Sequence, residues 1–297
     1  MGELTIGFVG LGNMGWPMAA NLHAAGFPLV VRDADADRQL AFAGAHPGAV
    51  AADEPGAFAV ADIVVTMLPD GAVVADALLS WGIAAALAPG ALVIEMSSAD
   101  PSDTRTTAAD LAARGVRMVD APVSGGVPRA VTGELSLMVG GDDEDVASAQ
   151  PVLRVLGDPA RQFRTGPLGT GHAMKALNNV VAAATTCVTA EALVVGRRFG
   201  LDPQTMVDVI NASTGRSFVS EIFGSEVLTG RYGTGFALGL LAKDVRIALS
   251  VASAAGVDTP AIALTEERWG AALRDLGPAA DQSQAHQSWW PDKLSGQ

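Results

Sequence analysis

The sequence predicts an α/β fold: a doubly wound, mostly parallel sheet over residues 1–165, then an all-helical C-terminal domain over residues 166–297, joined by one long helix. Three observations carry this. Short apolar runs alternate with helical patterns through the first half, the cadence of βαβ units. A glycine-rich turn stands between the first apolar run and the first helical pattern. After about residue 165 no strand pattern recurs, and residues 169–200 read as a single apolar helix rich in small residues. A length of 297 residues suits two domains.

The first strand is Thr5-Ile6-Gly7-Phe8-Val9, and it runs into Gly10-Leu11-Gly12-Asn13-Met14-Gly15. Met18, Leu22 and Ala25 then recur at helical spacing, Gly26 ends the helix, and Pro28-Leu29-Val30-Val31-Arg32 forms a second strand ending at Asp33. Further strands are expected at 63–68, 91–94, 117–120 and 135–139, with helices at 36–43, 73–86 and 103–114 and an acidic helix start at Asp142 to Asp145. The second half carries helical patterns at 203–211, 236–255 and 260–276. The long helix is too apolar to bury only one face, which predicts packing against a second subunit in a homodimer or homotetramer. Trp289-Trp290, in an otherwise polar tail, are expected to dock on the body or on a partner subunit.

The turn at Gly10 to Gly15 has every feature that a Rossmann-type dinucleotide site demands: an apolar strand before it, a helix after it and an acid about 20 residues on. Gly10 permits the tight turn, Gly12 lets backbone approach a pyrophosphate, and Gly15 lets helix and strand pack closely. The helix N-terminus offers N–H groups and a positive dipole end to the phosphates. Asp33 suits the ribose hydroxyls of NAD and opposes a 2′-phosphate, so NAD is favoured over NADP. Arg32 beside it, with Asp35, Asp37 and Arg38, makes the local charge mixed, and a solvated acid capping the strand is the alternative for Asp33.

Ligands in such sheets sit beyond the carboxyl ends of the strands, so the following turns matter most. Leu68-Pro69 and Ser97-Ser98 would line the cofactor trough, with Ser98 toward the nicotinamide half; ordinary capping serines are the alternative. Asp120-Ala121-Pro122-Val123-Ser124-Gly125-Gly126 puts a hydroxyl beside two glycines, a nest suited to a small carboxylate unless it is a plain glycine turn. Lys175 and Asn179, four apart, share a face in the first turns of the long helix, where the domains are expected to meet. The helix dipole and burial both disfavour an ammonium there, and a lysine so affected serves as general acid and base; a snorkelling surface lysine is the alternative. The chain has only three lysines, Lys175, Lys243 and Lys293. His172 reads as a helix-start residue rather than a catalyst.

Net charge is −13, which argues against nucleic-acid or anionic-membrane partners. No ~18-residue apolar run suggests a membrane span, and the Met1-Gly2-Glu3 start carries no targeting signal, so a soluble cytoplasmic protein is expected. One cysteine, Cys187, excludes an intrachain disulfide and reads as a core residue. His23, His46 and His286 lack metal-site spacing, so no metal is expected.

These motifs together resemble the β-hydroxyacid dehydrogenases, the group containing 3-hydroxyisobutyrate dehydrogenase, tartronate semialdehyde reductase and the glyoxylate/succinic semialdehyde reductases. The resemblance spans nearly the whole chain: Gly10 to Gly15 with Met18-Ala19-Ala20-Asn21-Leu22, Asp120 to Gly126, Gly171 with Lys175 and Asn179, and Lys243-Asp244. It implies a hydride transfer between NAD and the β-hydroxyl carbon of a small 3-hydroxy acid, with Lys175 as acid/base and Asn179 orienting substrate. It further implies that Ser124, Gly125 and Gly126 hold the carboxylate, that Phe236 and Asp244 line the site, and that Lys243 belongs to the cofactor set. Ser98 stands where the family usually has threonine. Asp33 matches the NAD-using members, the NADP-using ones more often carrying Asn-Arg-Thr there. A semialdehyde reductase using NAD(P)H is the alternative within enzymes; 6-phosphogluconate dehydrogenase and the imine reductases share the architecture but fit the chain's length or lysine less well. A non-catalytic dinucleotide-binding regulator is the alternative of another class, disfavoured by the intact Lys175, Asn179 and Ser124. The side-group pocket is open: Val127, Arg129, Arg216, Phe218 and Phe236 are candidates, the two arginines for a second anionic group unless they are surface or interface residues.

Overall fold

The computed structural model describes residues 4–290; the Met1 to Glu3 start and the tail from residue 291, Lys293 included, lie outside the described residues. The chain divides into two compact units, residues 1–175 and 176–297.

The first unit is built on a nine-stranded sheet. Its strands are β1 (Ile6–Val9), β2 (Leu29–Arg32), β3 (Val50–Ala51), β4 (Ile63–Thr66), β5 (Leu92–Glu95), β6 (Arg117–Asp120), β7 (Val123–Ser124), β8 (Leu135–Gly140) and β9 (Gly157–Gly166). They lie in the order β3-β2-β1-β4-β5-β6-β8-β7, with β9 also paired to β8. The run from β3 to β6 is parallel throughout, whereas β8 runs antiparallel to β6 and β7. The order reverses between β1 and β4, the switch point outside which such sheets bind ligands. Both faces are covered, which explains why the strands read as continuous apolar runs. Ile6, Phe8, Ile63, Val65, Leu92 and Ile94 join Met18 and Leu22 on one face, while Val9, Val64 and Val93 join Leu78 and Leu111 on the other.

Two expectations needed correction. The helix at 73–86 is broken into Gly71–Ala75, a wide turn over Asp76–Ser80 and a short helix Ile83–Ala86, because Gly82 takes φ +101° there. The segment before residue 166 is β9, a strand without alternation: it lies at the sheet edge with its side chains largely exposed, so no apolar period marks it.

The second unit is helical. The long helix Thr170–Phe199 enters it, followed by Pro203–Asn211, Leu238–Ala254 and Pro260–Leu276. Phe218–Ile222, continued by a wide turn to Val227, is a helix that the sequence pattern missed; it starts at a Ser217/Ser220 capping box. Ala176, Val180 and Ala183 of the long helix pack with Leu238, Leu241, Val245, Trp269 and Trp289. Trp289 docks on this body: its ring stands 5.5 Å from Trp269 and its Nε1 donates to the Arg268 carbonyl at 2.7 Å. By length and composition the long helix would also serve as a membrane span, with a mean hydropathy of 1.5 over its most apolar window.

Candidate active site

The glycine turn closes the switch point in the way its three glycines require. Gly10 has φ +98°, and a Cβ there would lie 2.2 Å from the Met67 carbonyl, the residue after β4. At Gly15 a Cβ would fall 1.8 Å from the Gly10 carbonyl, so helix and turn touch. Gly12 faces open space, with nothing within 4 Å of its would-be Cβ. Two glycines thus allow backbone to meet backbone, and the third leaves room for a ligand. Leu11 is buried, Gly12 and Asn13 are exposed, and Met14 precedes the Gly15–Ala24 helix without any side-chain cap. The first-turn N–H groups are therefore not taken by a capping side chain, which fits a pyrophosphate.

Asp33 is not the solvated cap of the alternative reading: it is 7% exposed. Its Oδ2 accepts from the Leu11 N–H at 2.6 Å and its Oδ1 from the Asp35 N–H at 2.8 Å. The carboxylate thus braces the glycine turn from the neighbouring strand. Arg38 pairs with both Asp33 and Asp35 at 3.3 Å. The Arg32 guanidinium lies 4.7 Å from the Trp81 ring and donates to Gln39 at 3.1 Å.

Leu68 and Pro69 form the turn after β4, where the Leu68 N–H donates to Ser97 Oγ at 2.9 Å. Ser98, half-buried, follows directly. Ser124 ends β7 opposite Ser136. Gly125 and Gly126 then take φ +133° and +65° and are exposed. The stem of Arg129 lies against Gly125, where an added Cβ would meet it at 2.6 Å. Arg216 is instead spent on Glu221 at 2.9 Å.

Lys175 is half-buried in the second turn of the long helix. Asn179, one turn on, is 7% exposed and belongs to the second unit. Its Nδ2 donates to Asp244 Oδ2 at 2.6 Å, and Lys243 Nζ stands 3.4 Å from Asp244 Oδ1. Asp244 is 1% exposed, so the carboxylate holds the Asn179 amide in a fixed orientation. Phe236 is half-buried against the core of the same unit. Cys187 is half-buried too, and burial pushes its thiol up to about 12, which makes it inert.

A family model described as the NAD binding domain of 6-phosphogluconate dehydrogenase matches residues 5–189. A second, described as the NAD-binding domain of NADP-dependent 3-hydroxyisobutyrate dehydrogenase, matches residues 169–289. A probable 3-hydroxyisobutyrate dehydrogenase of Mycobacterium tuberculosis is 38% identical over 264 residues, covering 86% of this chain and 88% of that protein. The chain belongs to the β-hydroxyacid dehydrogenase family. Within that family, the 2-(hydroxymethyl)glutarate dehydrogenase of Eubacterium barkeri is 35% identical over 267 residues, 89% of this chain and 88% of the relative. The structure of M. tuberculosis 3-hydroxyisobutyrate dehydrogenase with L-serine superposes with a TM-score of 0.88 at 33% identity, covering 97% of this chain and 99% of that one. The buried residues of the apolar long helix belong to the clusters of the helical unit.

The sequence pattern left Glu95 unmarked and gave Asp120 and Ser97 no buried role, yet all three are buried in the first unit. Glu95 and Asp120 close two apolar strands and are 1% and 0% exposed. Ser97 links Glu95 to the Leu68 turn. An acid ending an apolar strand was the available signal, but Asp33 ends one too, and the pattern does not tell a ligand-facing acid from a buried one.

Proposed function

We propose that this chain, an NAD-dependent hydroxyacid dehydrogenase by its family, oxidises the β-hydroxyl of a small 3-hydroxy acid of the 3-hydroxyisobutyrate type, with Lys175 as general acid and base. The observation that carries it is the half-buried Lys175 on the helix that also bears Asn179, whose amide is oriented by Asp244. Bound NAD supplies the hydride acceptor. Lys175 Nζ takes the hydroxyl proton as the carbinol C–H bond breaks, leaving a semialdehyde; in reduction it returns that proton to the alkoxide oxygen. Ser124 and the backbone N–H groups of Gly125 and Gly126 hold the carboxylate, Asn179 and Phe236 orient the substrate, and Leu68, Pro69, Ser98 and Lys243 belong to the cofactor side. Fixing the reacting oxygen beside one amine is the protein's main contribution.

The long helix supports a homo-oligomer. Val181, Val188 and Val195 recur every seven residues, are 60–67% exposed, and share an open face with Met174, Leu177 and Phe199. A second copy of the chain is the proposed cover for this stripe.

The test is NADH formation with a panel of short 3-hydroxy acids, repeated with NADP. Turnover of one panel member with NAD is expected. In Lys175→Ala, turnover should fall by about 10²–10⁴-fold while NAD still binds; turnover within a few-fold of wild type removes Lys175 from the role.

A further inference from the structure

The most deeply buried polar cluster of the first unit lies at the base of the long helix. Glu95 and Asp120 are register partners at the ends of the adjacent parallel strands β5 and β6. Two buried carboxylates side by side oppose each other and lose their hydration, so such a pair needs a cation and hydrogen bonds. His172, 1% exposed, lies between them. Its Nε2 meets Glu95 Oε2, and its Nδ1 stands 2.8 Å from Thr104 Oγ1 and 3.6 Å from Asp120 Oδ2. Burial alone would raise the Glu95 carboxyl, but the facing imidazole and the hydrogen bonds from Ser97 outweigh it and hold Glu95 below its ordinary range.

The same cluster governs where the helix begins. Asp120 Oδ1 accepts from the Gly169 N–H at 2.7 Å and Oδ2 from the His172 N–H at 2.8 Å, so a residue of β6 caps a helix that starts about 50 residues later. Gly171 lets that start sit deep, since a Cβ would lie 2.2 Å from the Met138 carbonyl and 2.8 Å from Asp120 Oδ2. On the other side, Glu95 accepts from the Ser97 N–H at 2.8 Å, and Ser97 Oγ accepts from the Leu68 N–H at 2.9 Å. A continuous set of close polar contacts therefore runs from the first turn of the Lys175 helix to the turn after β4.

We propose that His172 is a positioning residue for Lys175: by seating its ring between the ends of β5 and β6 it fixes the rotation and depth of the helical turn that carries the amine. The inference rests on Lys175 being the acid/base of the proposed function. His172 itself touches neither substrate nor cofactor. Lys175 follows by three residues, so it projects about 60° around the helix from His172. A rotation of about 10° moves a side-chain tip ~6 Å from the axis by about 1 Å. A misplacement of that size costs about 10²-fold in rate.

Four variants test it: Thr104→Val, which removes the ring contact together with the hydroxyl's bond to the Asp100 carbonyl, His172→Gln and Glu95→Gln singly, and their double variant, which replaces the buried contact with two neutral amides. In His172→Gln, kcat should fall at least about tenfold while the NAD dissociation constant, read by fluorescence titration, stays within about twofold of wild type. Thr104→Val should lower kcat several-fold at nearly wild-type Tm, and the double variant should lose less than the product of its two single losses. The proposal is overturned if folded His172→Gln or Thr104→Val keeps kcat within about twofold, or if kcat and NAD affinity fall together. Wild-type turnover on the hydroxy-acid panel is judged separately: its absence sinks the functional reading alone. Amide exchange then decides the positioning claim, since residues 168–176 should exchange faster in His172→Gln, and an unchanged rate refutes it.

Discussion

Replacing Asp33 with asparagine probes cofactor choice most directly, because the structure gives that carboxylate three partners and an address. It closes β2, braces the Leu11 N–H and pairs with Arg38 at 3.3 Å. An ionised acceptor is worth about 1.5–3 kcal/mol to each hydroxyl it serves, so Asp33→Asn should weaken NAD binding by roughly 10- to 100-fold. Removing the negative charge also relieves its repulsion of a 2′-phosphate, worth about 1 kcal/mol at ~4 Å in water, and frees Arg38 to meet that phosphate. Together these raise the NADP/NAD ratio of kcat/KM by about 10²-fold. The assay is initial rates with both cofactors at fixed hydroxy acid, with Tm as a control because the Leu11 contact is also altered. A folded Asp33→Asn whose cofactor ratio stays within twofold of wild type would refute the reasoning, since neither the hydrogen bond nor the repulsion would then be acting on the ribose.

Other outcomes follow from the same geometry. Gly12→Ala should fold normally, having open space for its Cβ, yet bind NAD more weakly; Gly15→Ala should lower Tm sharply because its Cβ would collide with the Gly10 carbonyl. Parallel thermal melts and NAD titrations separate the two effects. Burial holds His286 below its ordinary value of 6.5. The folded state therefore binds its proton less readily than the unfolded chain, and the resulting stability is complete above pH 6.5 and is lost as pH falls below it. Urea melts of wild type and His286→Gln should accordingly diverge at neutral pH and converge toward acid pH. A charge on the apolar stripe of the long helix, Val188→Glu, should shift the protein toward monomer in sedimentation; a wild type that is already monomeric at micromolar concentration removes the interface.

The sequence alone was enough for the fold class, the family and the glycine turn. All three depend on local patterns that survive without tertiary contacts: two-faced apolar strands, a long helix rich in small apolar residues, and a glycine turn set between a strand and a helix with an acid beyond. The helices at Pro203–Asn211 and Pro260–Leu276 were legible to the residue, because a proline at the first helical position marks each start. The edge strand β9 was not, since it carries no apolar period, and neither was the helix at Phe218, whose buried Val219, Phe223 and Val227 recur every four residues over only two short turns.

The candidate site divides in the same way. Lys175 and Asn179 could be paired from their spacing of four on one helix. That Asp244 holds Asn179, that Asp33 braces Leu11, and that His172 lies between Glu95 and Asp120 joins residues 22 to 77 positions apart. Such contacts have no period in the sequence. His172 reads there as an ordinary helix-start residue and Asp120 as the first letter of a glycine motif. Only the parallel register of β5 and β6 puts their two acids side by side, and only the seating of the helix on Gly171 brings an imidazole between them. The chain's local chemistry thus determined which elements form and which ligand class they suit. Tertiary structure decided which buried charges meet, because the cost of burying a carboxylate is settled by whatever distant group the fold delivers to it.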